Sequence, residues 1–562
     1  MIRLISGWFA SLTLGMLVVG PLAALGVCAL ADLGPDGEAR ASLFPAAVTL
    51  LDPFVWATLR HSVLVAGLAS LATIVGGTLV GRAVGEPGGI SRSAALVALG
   101  IAAASPPYLI SLGASAWLDA GGSAAWGRLL LASGRWSRFF PVDPGWIAWV
   151  AASTIPGAAA GALAYLRALD GLDPSWREAA ALAGGSRAGR WRRLAWPLLR
   201  PAVARAGALT FALTLADPGA PLLLGLRRTL GYQMVLVATG DAPFPALASL
   251  GLIAILTAAA WRAGLRLWSG RDRATAGDRG DRPRPPASWR RAVARTILAT
   301  GFGASVLAGM VGIGMGASGG ATLGRMAADP TMARVLVRSL ALGLGVAVLA
   351  ALSNRIVARL EASAGPAAAG RFRRLAKASA PPPLAAGVVV LALGRLLVLA
   401  AAAGWAGRSP AATVLAGDRA PLVAATLAAW LAVASARIGR RPLGPAEPDA
   451  APGPRLDAAA LAGARRGSAR RLARGASFGG GWRDFLATLA TAAVAVAPAV
   501  LVLSSASIAT VGPGVLLFRE RPESDAAVAA MLGLIAWVVA LATAPIGARR
   551  RRIASTSASP RA

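Results

Sequence analysis

Apolar windows of about 20 residues recur along nearly the whole chain, separated by short polar or basic segments. A helix of that length crosses a hydrocarbon layer of roughly 30 Å. Twelve windows are predicted to be transmembrane helices, near residues 8–31, 62–81, 94–117, 146–166, 206–226, 244–264, 296–317, 339–358, 381–404, 420–437, 485–507 and 526–547. Gly and Ala dominate these windows, as is typical of helices that pack closely in lipid. The pattern predicts an all-α polytopic membrane protein of about twelve spans.

Composition supports a membrane protein and charge predicts its orientation. Hydrophobic residues make up 56% of the chain, above the roughly 45–50% of soluble domains. A net charge of +32 would suggest nucleic acid in a soluble protein, but the basic residues concentrate in segments on one side of the predicted spans. The main basic segments are 187–200, 271–291, 371–377, 465–474 and 549–552. This bias predicts that both termini are cytoplasmic and that the partner is a lipid membrane, with no nucleic acid.

The first window also needs to be weighed as a secretory signal, because Ala29-Leu30-Ala31 resembles a signal-peptidase site. The preceding apolar run is too long for the usual h-region of about 7–15 residues, which favours an uncleaved first helix. Cys28 is the single cysteine and His61 the single histidine. These counts exclude an intrachain disulfide and disfavour histidine-dependent catalysis, so we expect no metal site and no cofactor.

The chain has the pattern of two tandem halves. Short matches recur in order at offsets of 275 to 279 residues. They pair His61-Ser62 with Arg338-Ser339, Pro106-Pro107 with Pro381-Pro382, and residues 178–184 with residues 457–463. An Arg-, Asp-, Gly- and Pro-rich stretch without an apolar face lies between them. We predict a first half over 1–268, a cytoplasmic linker over 269–291 and a second half over 292–562.

One cytoplasmic segment, residues 171–201, has the pattern of a short helix followed by a sharp turn. Asp173 can cap a helix that begins at Pro174, and Gly184 with Gly185 ends it. Small residues share one face of this helix, and such a face allows close approach of another protein surface. The segment is therefore predicted to dock into a partner's groove. A helix resting on the lipid headgroups is the alternative.

The same segment resembles the EAA loop of type I ATP-binding-cassette (ABC) importer permeases: Glu-Ala-Ala, three residues, Gly, nine residues, an aliphatic residue, any residue, Leu and Pro. The matching positions are Glu178, Ala179, Ala180, Gly184, Leu194 and Pro197, with Trp196 where leucine is usual. The resemblance implies that family's fold and a coupling helix that docks on a separate ATPase subunit, present in two copies. It also implies a substrate-binding protein outside the membrane and a location in the bacterial inner membrane.

The second half carries a degenerate copy of this loop over 454–476. Asp457 stands where the glutamate is expected and Gly463 matches the glycine, but Gly475 occupies the position of the proline. The resemblance implies coupling roles for Glu178, Ala179, Ala180, Gly184, Pro197, Asp457 and Gly463, with the second docking site weaker.

Nucleotide chemistry is not expected in this chain itself. A phosphate-binding loop ends in Gly-Lys followed by Ser or Thr, whereas Lys377, the single lysine, follows Ala376. The chain is therefore predicted to be a non-catalytic subunit, with ATP hydrolysis in its partner.

Residues 198–201 and 217–225 resemble the ferric-iron branch of the family, so ferric iron is the predicted substrate. Thiamine or another small solute is an alternative, and an ion-coupled secondary transporter or a membrane scaffold are the competing classes. Arg395 and Asp217 are the candidate residues of the substrate path, although Arg395 can instead snorkel to the interface. Asp217 can instead have a structural role at an outer helix end. The Pro106-Pro107 pair is predicted to kink or start a helix.

Overall fold

The computed structural model describes residues 31–33, 39–42, 44–85, 89–117, 144–170, 195–239, 244–270 and 328–363, with single positions and short stretches outside these ranges. Two short strands precede the helices and pair antiparallel, with Asp32 opposite Arg40. The strands are β1 (Ala31–Leu33) and β2 (Ala39–Ala41). The helices are α1 (Phe44–Leu51), α2 (Pro53–Val84), α3 (Gly89–Ala104), α4 (Pro107–Trp117), α5 (Pro144–Asp170), α6 (Trp196–Leu215), α7 (Gly219–Leu223), α8 (Leu230–Thr239), α9 (Phe244–Ser269) and α10 (Pro330–Ser363).

Among the described residues, α2, α5, α6, α9 and α10 are each long and apolar enough to cross a membrane. The prediction of helical spans at 62–81, 146–166, 244–264 and 339–358 is confirmed by α2, α5, α9 and α10. α2 begins sharply because Pro53 starts it and the Asp52 carboxylate accepts a hydrogen bond from the Phe54 amide, at 2.8 Å. Apart from the two strands, this part of the chain is all α, as the hydropathy pattern predicts.

α2 and α5 pack side by side and run parallel. Gly77 meets Gly161, Gly81 meets Tyr165 and Gly85 meets Leu169, so partners lie 84 positions apart throughout. A Cβ on Gly77 would lie 3.0 Å from the backbone of Gly161, closer than ordinary van der Waals contact. Glycine is required at this crossing, and the small residues predicted to allow close packing do so here.

α6 runs antiparallel to α2 and α5 and fills the groove between them. Thr73 of α2 donates a hydrogen bond to Thr210 of α6 at 3.3 Å, and both hydroxyls flank Gly157 of α5. α9 covers the outside of this group, where the Trp261 ring stacks on Phe211 and its N–H donates to Ser70 at 3.1 Å. Hydroxyls and an aromatic N–H thus join α2, α6 and α9, and α5 packs against the same hydroxyls at Gly157.

The predicted span at 94–117 is broken. Residues 94–104 and α4 meet at an angle of 86°, with Ser105 and Pro106 at the break. Proline lacks the amide that would continue the helix, and Pro107 instead starts α4. The prediction that the Pro106-Pro107 pair kinks or starts a helix is confirmed.

α4 contacts described residues beyond 300 at several points. The Trp117 N–H donates to the Ala308 carbonyl at 2.9 Å, and Gly113 packs against Gly309. One apolar core includes Leu109 and Leu112 of α4 together with Met332 of α10 and Leu532. The broken helix therefore lies where regions from the two predicted halves meet.

One predicted boundary is wrong. The window at 206–226 is not a single span, because α6 begins earlier, at Trp196, and ends at Leu215. Asp217 and Pro218 interrupt the apolar run, and the residues after them form the short helix α7. The predicted loop at 171–201 is correspondingly shorter at its end, since residues 196–200 are the first turns of α6.

The spans predicted at 381–404, 420–437 and 485–507 lie outside the described residues apart from Thr426, as do the linker and the loop at 454–476. Those at 8–31, 296–317 and 526–547 are represented by a few helical positions each, and Ala31 already belongs to β1. A total of twelve spans and the tandem halves therefore remain predictions.

Candidate functional site

Two clusters of polar and aromatic side chains occupy opposite ends of the bundle of α2, α5, α6 and α9. The first lies where α2, α5 and α9 end and α6 begins, and we call it the Trp191 collar. It consists of Arg82, Tyr165, Trp191, Trp196 and Trp268. The second, the Asp217 cluster, lies at the other end and consists of His61, Trp146, Trp149 and Asp217.

Trp191 is the centre of the collar. The Arg82 guanidinium carbon lies 4.7 Å from the centroid of its ring, within the range of a cation–π interaction. Its N–H donates to the Tyr165 hydroxyl at 3.2 Å. Its ring stacks on Trp196 with centroids 5.4 Å apart, and Trp196 meets Trp268 edge-on at 6.2 Å. One residue outside the spans therefore contacts the ends of α2 and α5 and the beginning of α6.

A second link closes the same end of the bundle. The Arg200 Nε donates to the Ser269 carbonyl at 2.8 Å and so joins the start of α6 to the end of α9. Arg82, Arg167 and Arg266 lie in the last turns of α2, α5 and α9. Arginine near a helix C-terminus is favoured by the helix dipole, and Trp with Arg is typical of a membrane interface.

The Asp217 cluster follows the end of α6. The Asp217 Oδ1 accepts a hydrogen bond from the Gly219 amide at 2.9 Å and so starts α7, while Oδ2 is buried without a hydrogen-bond partner. The Trp149 indole lies close enough to favour the charged carboxylate, although its N–H does not reach hydrogen-bond geometry. Burial outweighs these interactions and raises the pKa of Asp217 to about 6.

Aromatic contacts continue the Asp217 cluster toward α2. Trp149 packs against Trp146 with ring centroids 5.7 Å apart, and Trp146 packs against His61 at 5.5 Å. Beside them, the buried Ser62 hydroxyl accepts a hydrogen bond from the Leu230 amide at 2.7 Å and ties α8 to α2. His61 lies two turns into α2.

Two of the predicted site residues lie in the described part of the chain, and the others lie outside it. Pro197 is exposed at the second position of α6, and Asp217 is in the cluster just described. The remaining predicted positions, Glu178, Ala179, Ala180, Gly184, Arg395, Asp457 and Gly463, lie outside the described residues. Their roles stay predictions, as does a substrate role for Asp217.

Sequence reasoning missed the collar. Trp196 stands where the EAA pattern has leucine, and in the structure its ring contacts Trp191 and Trp268. The signal that could have found the collar was the enrichment of Trp beside Arg at predicted span ends. Within the described residues, no group of three or more His, Cys, Asp or Glu side chains is arranged to hold a metal ion.

These helices define the class of the molecule as a multi-pass membrane protein. The chain matches no protein-family model, and no curated protein matches it significantly.

Proposed function

We propose that the chain is the membrane-spanning permease subunit of an ABC importer, driven by a separate ATPase and supplied by a substrate-binding protein. The observation that carries the proposal is the EAA spacing from Glu178 to Pro197. This segment connects α5 to α6 at the arginine-rich end of the bundle, which is where a cytoplasmic coupling loop would be expected.

Two features of the described helices support transport. α3 and α4 form a broken helix, and broken helices commonly line the paths of transporters. α4 also contacts residues beyond 300, so movement between the predicted halves would act on it directly. Ferric iron is the proposed substrate, on the resemblance of residues 198–201 and 217–225.

The test compares two Gly→Trp variants of the tagged chain expressed in its native host. Gly184→Trp places bulk in the proposed docking turn, whereas Gly264→Trp adds it at an exposed site with open space around the Cβ position. We expect the wild-type chain and Gly264→Trp to co-purify with ATPase activity, and Gly184→Trp to lose it while reaching the membrane in normal amount. Uptake of radioactive ferric iron should follow the same order, with thiamine measured in parallel.

Two outcomes would contradict the proposal. One is ATP hydrolysis by the purified chain without a partner, because the sequence holds no phosphate-binding loop. The other is normal uptake and normal ATPase co-purification in Gly184→Trp. Uptake of thiamine but not iron would keep the permease assignment and change the substrate.

A further inference from the structure

Trp191 differs from an ordinary interfacial tryptophan in the partner of its N–H and in the groups that contact its ring. A tryptophan that anchors a helix in the headgroup layer keeps its polar N–H toward the wet side of the interface. The Trp191 N–H instead donates to Tyr165, a side chain that is only 2% exposed. One face of the ring is occupied by Arg82, and the ring also stacks on Trp196. By contrast, Trp268 at the edge of the collar is 46% exposed.

The partners of Trp191 come from distant parts of the chain. Arg82 is in the last turn of α2, Tyr165 is near the end of α5, and Trp196 is the first residue of α6. Tyr165 also packs against Gly81, where a Cβ would lie 2.7 Å from the ring. The Tyr165 ring therefore has little room to move, and the hydrogen bond from Trp191 ends on a rigid support.

Trp191 follows the Gly184 of the EAA pattern by seven positions and precedes α6 by five. The preceding segment is joined to α5 at its start, and at its other end a displacement would reach Trp191 before it reaches α6. From there it would act on α2 through the cation–π contact, on α5 through the hydrogen bond and on α6 through stacking.

We propose that Trp191 is the positioning residue that transmits movement of the coupling segment to α2, α5 and α6 together. The proposal rests on the proposed permease function and adds to it the residue through which the force passes. Arg82 is its partner, because a guanidinium over the indole face is attracted to the ring and ties the end of α2 to it.

The first experiment measures coupling in the purified complex with its ATPase, reconstituted into liposomes. Trp191→Ala should lower uptake per ATP hydrolysed by about fivefold or more, the scale of one lost cation–π contact and its stacking. ATP hydrolysis and complex assembly should be retained. Trp191→Phe keeps the aromatic face, so its uptake per ATP hydrolysed should fall between that of the wild-type protein and that of Trp191→Ala. Trp56→Ala, which removes an exposed tryptophan at the other end of the bundle, is the matched control and should couple normally.

Arg82→Gln tests the partnership. If Arg82 acts through Trp191, Arg82→Gln should reduce coupling on its own and add little to Trp191→Ala. Additive losses would contradict the partnership. Uptake and hydrolysis that fall together, in proportion to a loss of folded protein, would show that Trp191 is only structural.

A second measurement needs no ATPase and separates this proposal from the proposed function. In the purified chain with Cys28 replaced by Ser, a cysteine introduced at Gly189 reports on the segment beside Trp191. Its labelling rate by a maleimide should rise several-fold in Trp191→Ala and stay unchanged in Trp56→Ala. An unchanged rate in Trp191→Ala would overturn the positioning role. Faster labelling in a chain that never associates with an ATPase would retain the collar and refute the importer assignment.

Discussion

At the residue scale, Asp217 stabilises a turn with one carboxylate oxygen, while burial of the other oxygen is unfavourable. Its Oδ1 starts α7 by accepting the Gly219 amide, a role that asparagine fills equally well. Its Oδ2 is buried without a hydrogen-bond partner, and burial raises the pKa of the carboxyl to about 6. Below the unfolded-state pKa of 3.8 the carboxyl is neutral in both states. As pH rises through about 6, the folded state has to hold a buried charge and loses stability relative to the unfolded state.

Asp217→Asn should therefore stabilise the protein at pH 7.5, by about 1–3 kcal/mol, because it removes the charge and keeps the turn. The gain should shrink toward pH 4.5, where Asp217 is already neutral in the folded protein. Thermal unfolding in detergent at both pH values measures this. Asp52→Asn, at the exposed cap of α2, is the control and should change little, since Asn and Asp are similar caps. A loss of stability in Asp217→Asn at pH 7.5 would mean that a cation neutralises the carboxylate, which would favour the substrate path.

At the element scale, the parallel pair α2 and α5 depends on small residues at one crossing. Because partners keep a constant separation of 84 positions, bulk at one point of contact would push the two helices apart along their length. The pair is held without a hydrophobic driving force between the helices, since lipid is as apolar as the side chains, so close packing has to supply the stability.

Gly77→Leu should lower stability by about 1–3 kcal/mol, the usual cost of overpacking a well-packed interior. The neighbour that its Cβ would meet is the backbone of Gly161, which cannot rotate away. Gly264→Leu adds the same side chain where nothing lies within 4 Å and should be tolerated. The comparison is made by thermal unfolding of both variants in the same detergent. Equal melting temperatures would be inconsistent with α2 and α5 touching in this register.

The same elements show what the sequence could and could not predict. Helices that are flanked by polar segments, such as α5 and α9, can be predicted from hydropathy, because a helix that spans lipid has to be apolar. The ends of α6 cannot be predicted in this way. The mean hydropathy of a window stays high beyond Leu215, although Asp217 and Pro218 end the helix. The collar is harder still. Arg82, Tyr165 and Trp191 are far apart in the chain, and only the packing of three helices brings them together.

At the scale of the whole molecule, orientation is the property on which the proposed function depends. The basic segments predict that residues near Gly280 and Gly467 face the cytoplasm and that Glu38 faces outward. The proposed coupling segment has to share the cytoplasmic face, because the proposed ATPase partner hydrolyses cytoplasmic ATP.

In a chain with Cys28 replaced by Ser, Gly280→Cys and Gly467→Cys should react with an impermeant maleimide only after the membrane is opened. Glu38→Cys should react in intact cells. Labelling of the two inner positions should therefore be low in intact cells and should rise on permeabilisation. The reverse pattern would place the EAA segment outside and remove the basis for coupling.

The contacts also place the two clusters at opposite ends of the bundle. α2, α5 and α9 end at the Trp191 collar, whereas α6 begins there and runs back toward Asp217. Asp52, before the start of α2, and Gly270, after the end of α9, therefore lie at opposite ends of the bundle. Three helices have residues at both clusters: α2 with His61 and Arg82, α5 with Trp149 and Tyr165, and α6, which begins at Trp196 and ends two residues before Asp217. The shortest covalent route between the clusters is along α5, from Trp149 to Tyr165, a helical rise of about 24 Å. A signal exchanged along that route travels as a shift or rotation of α5.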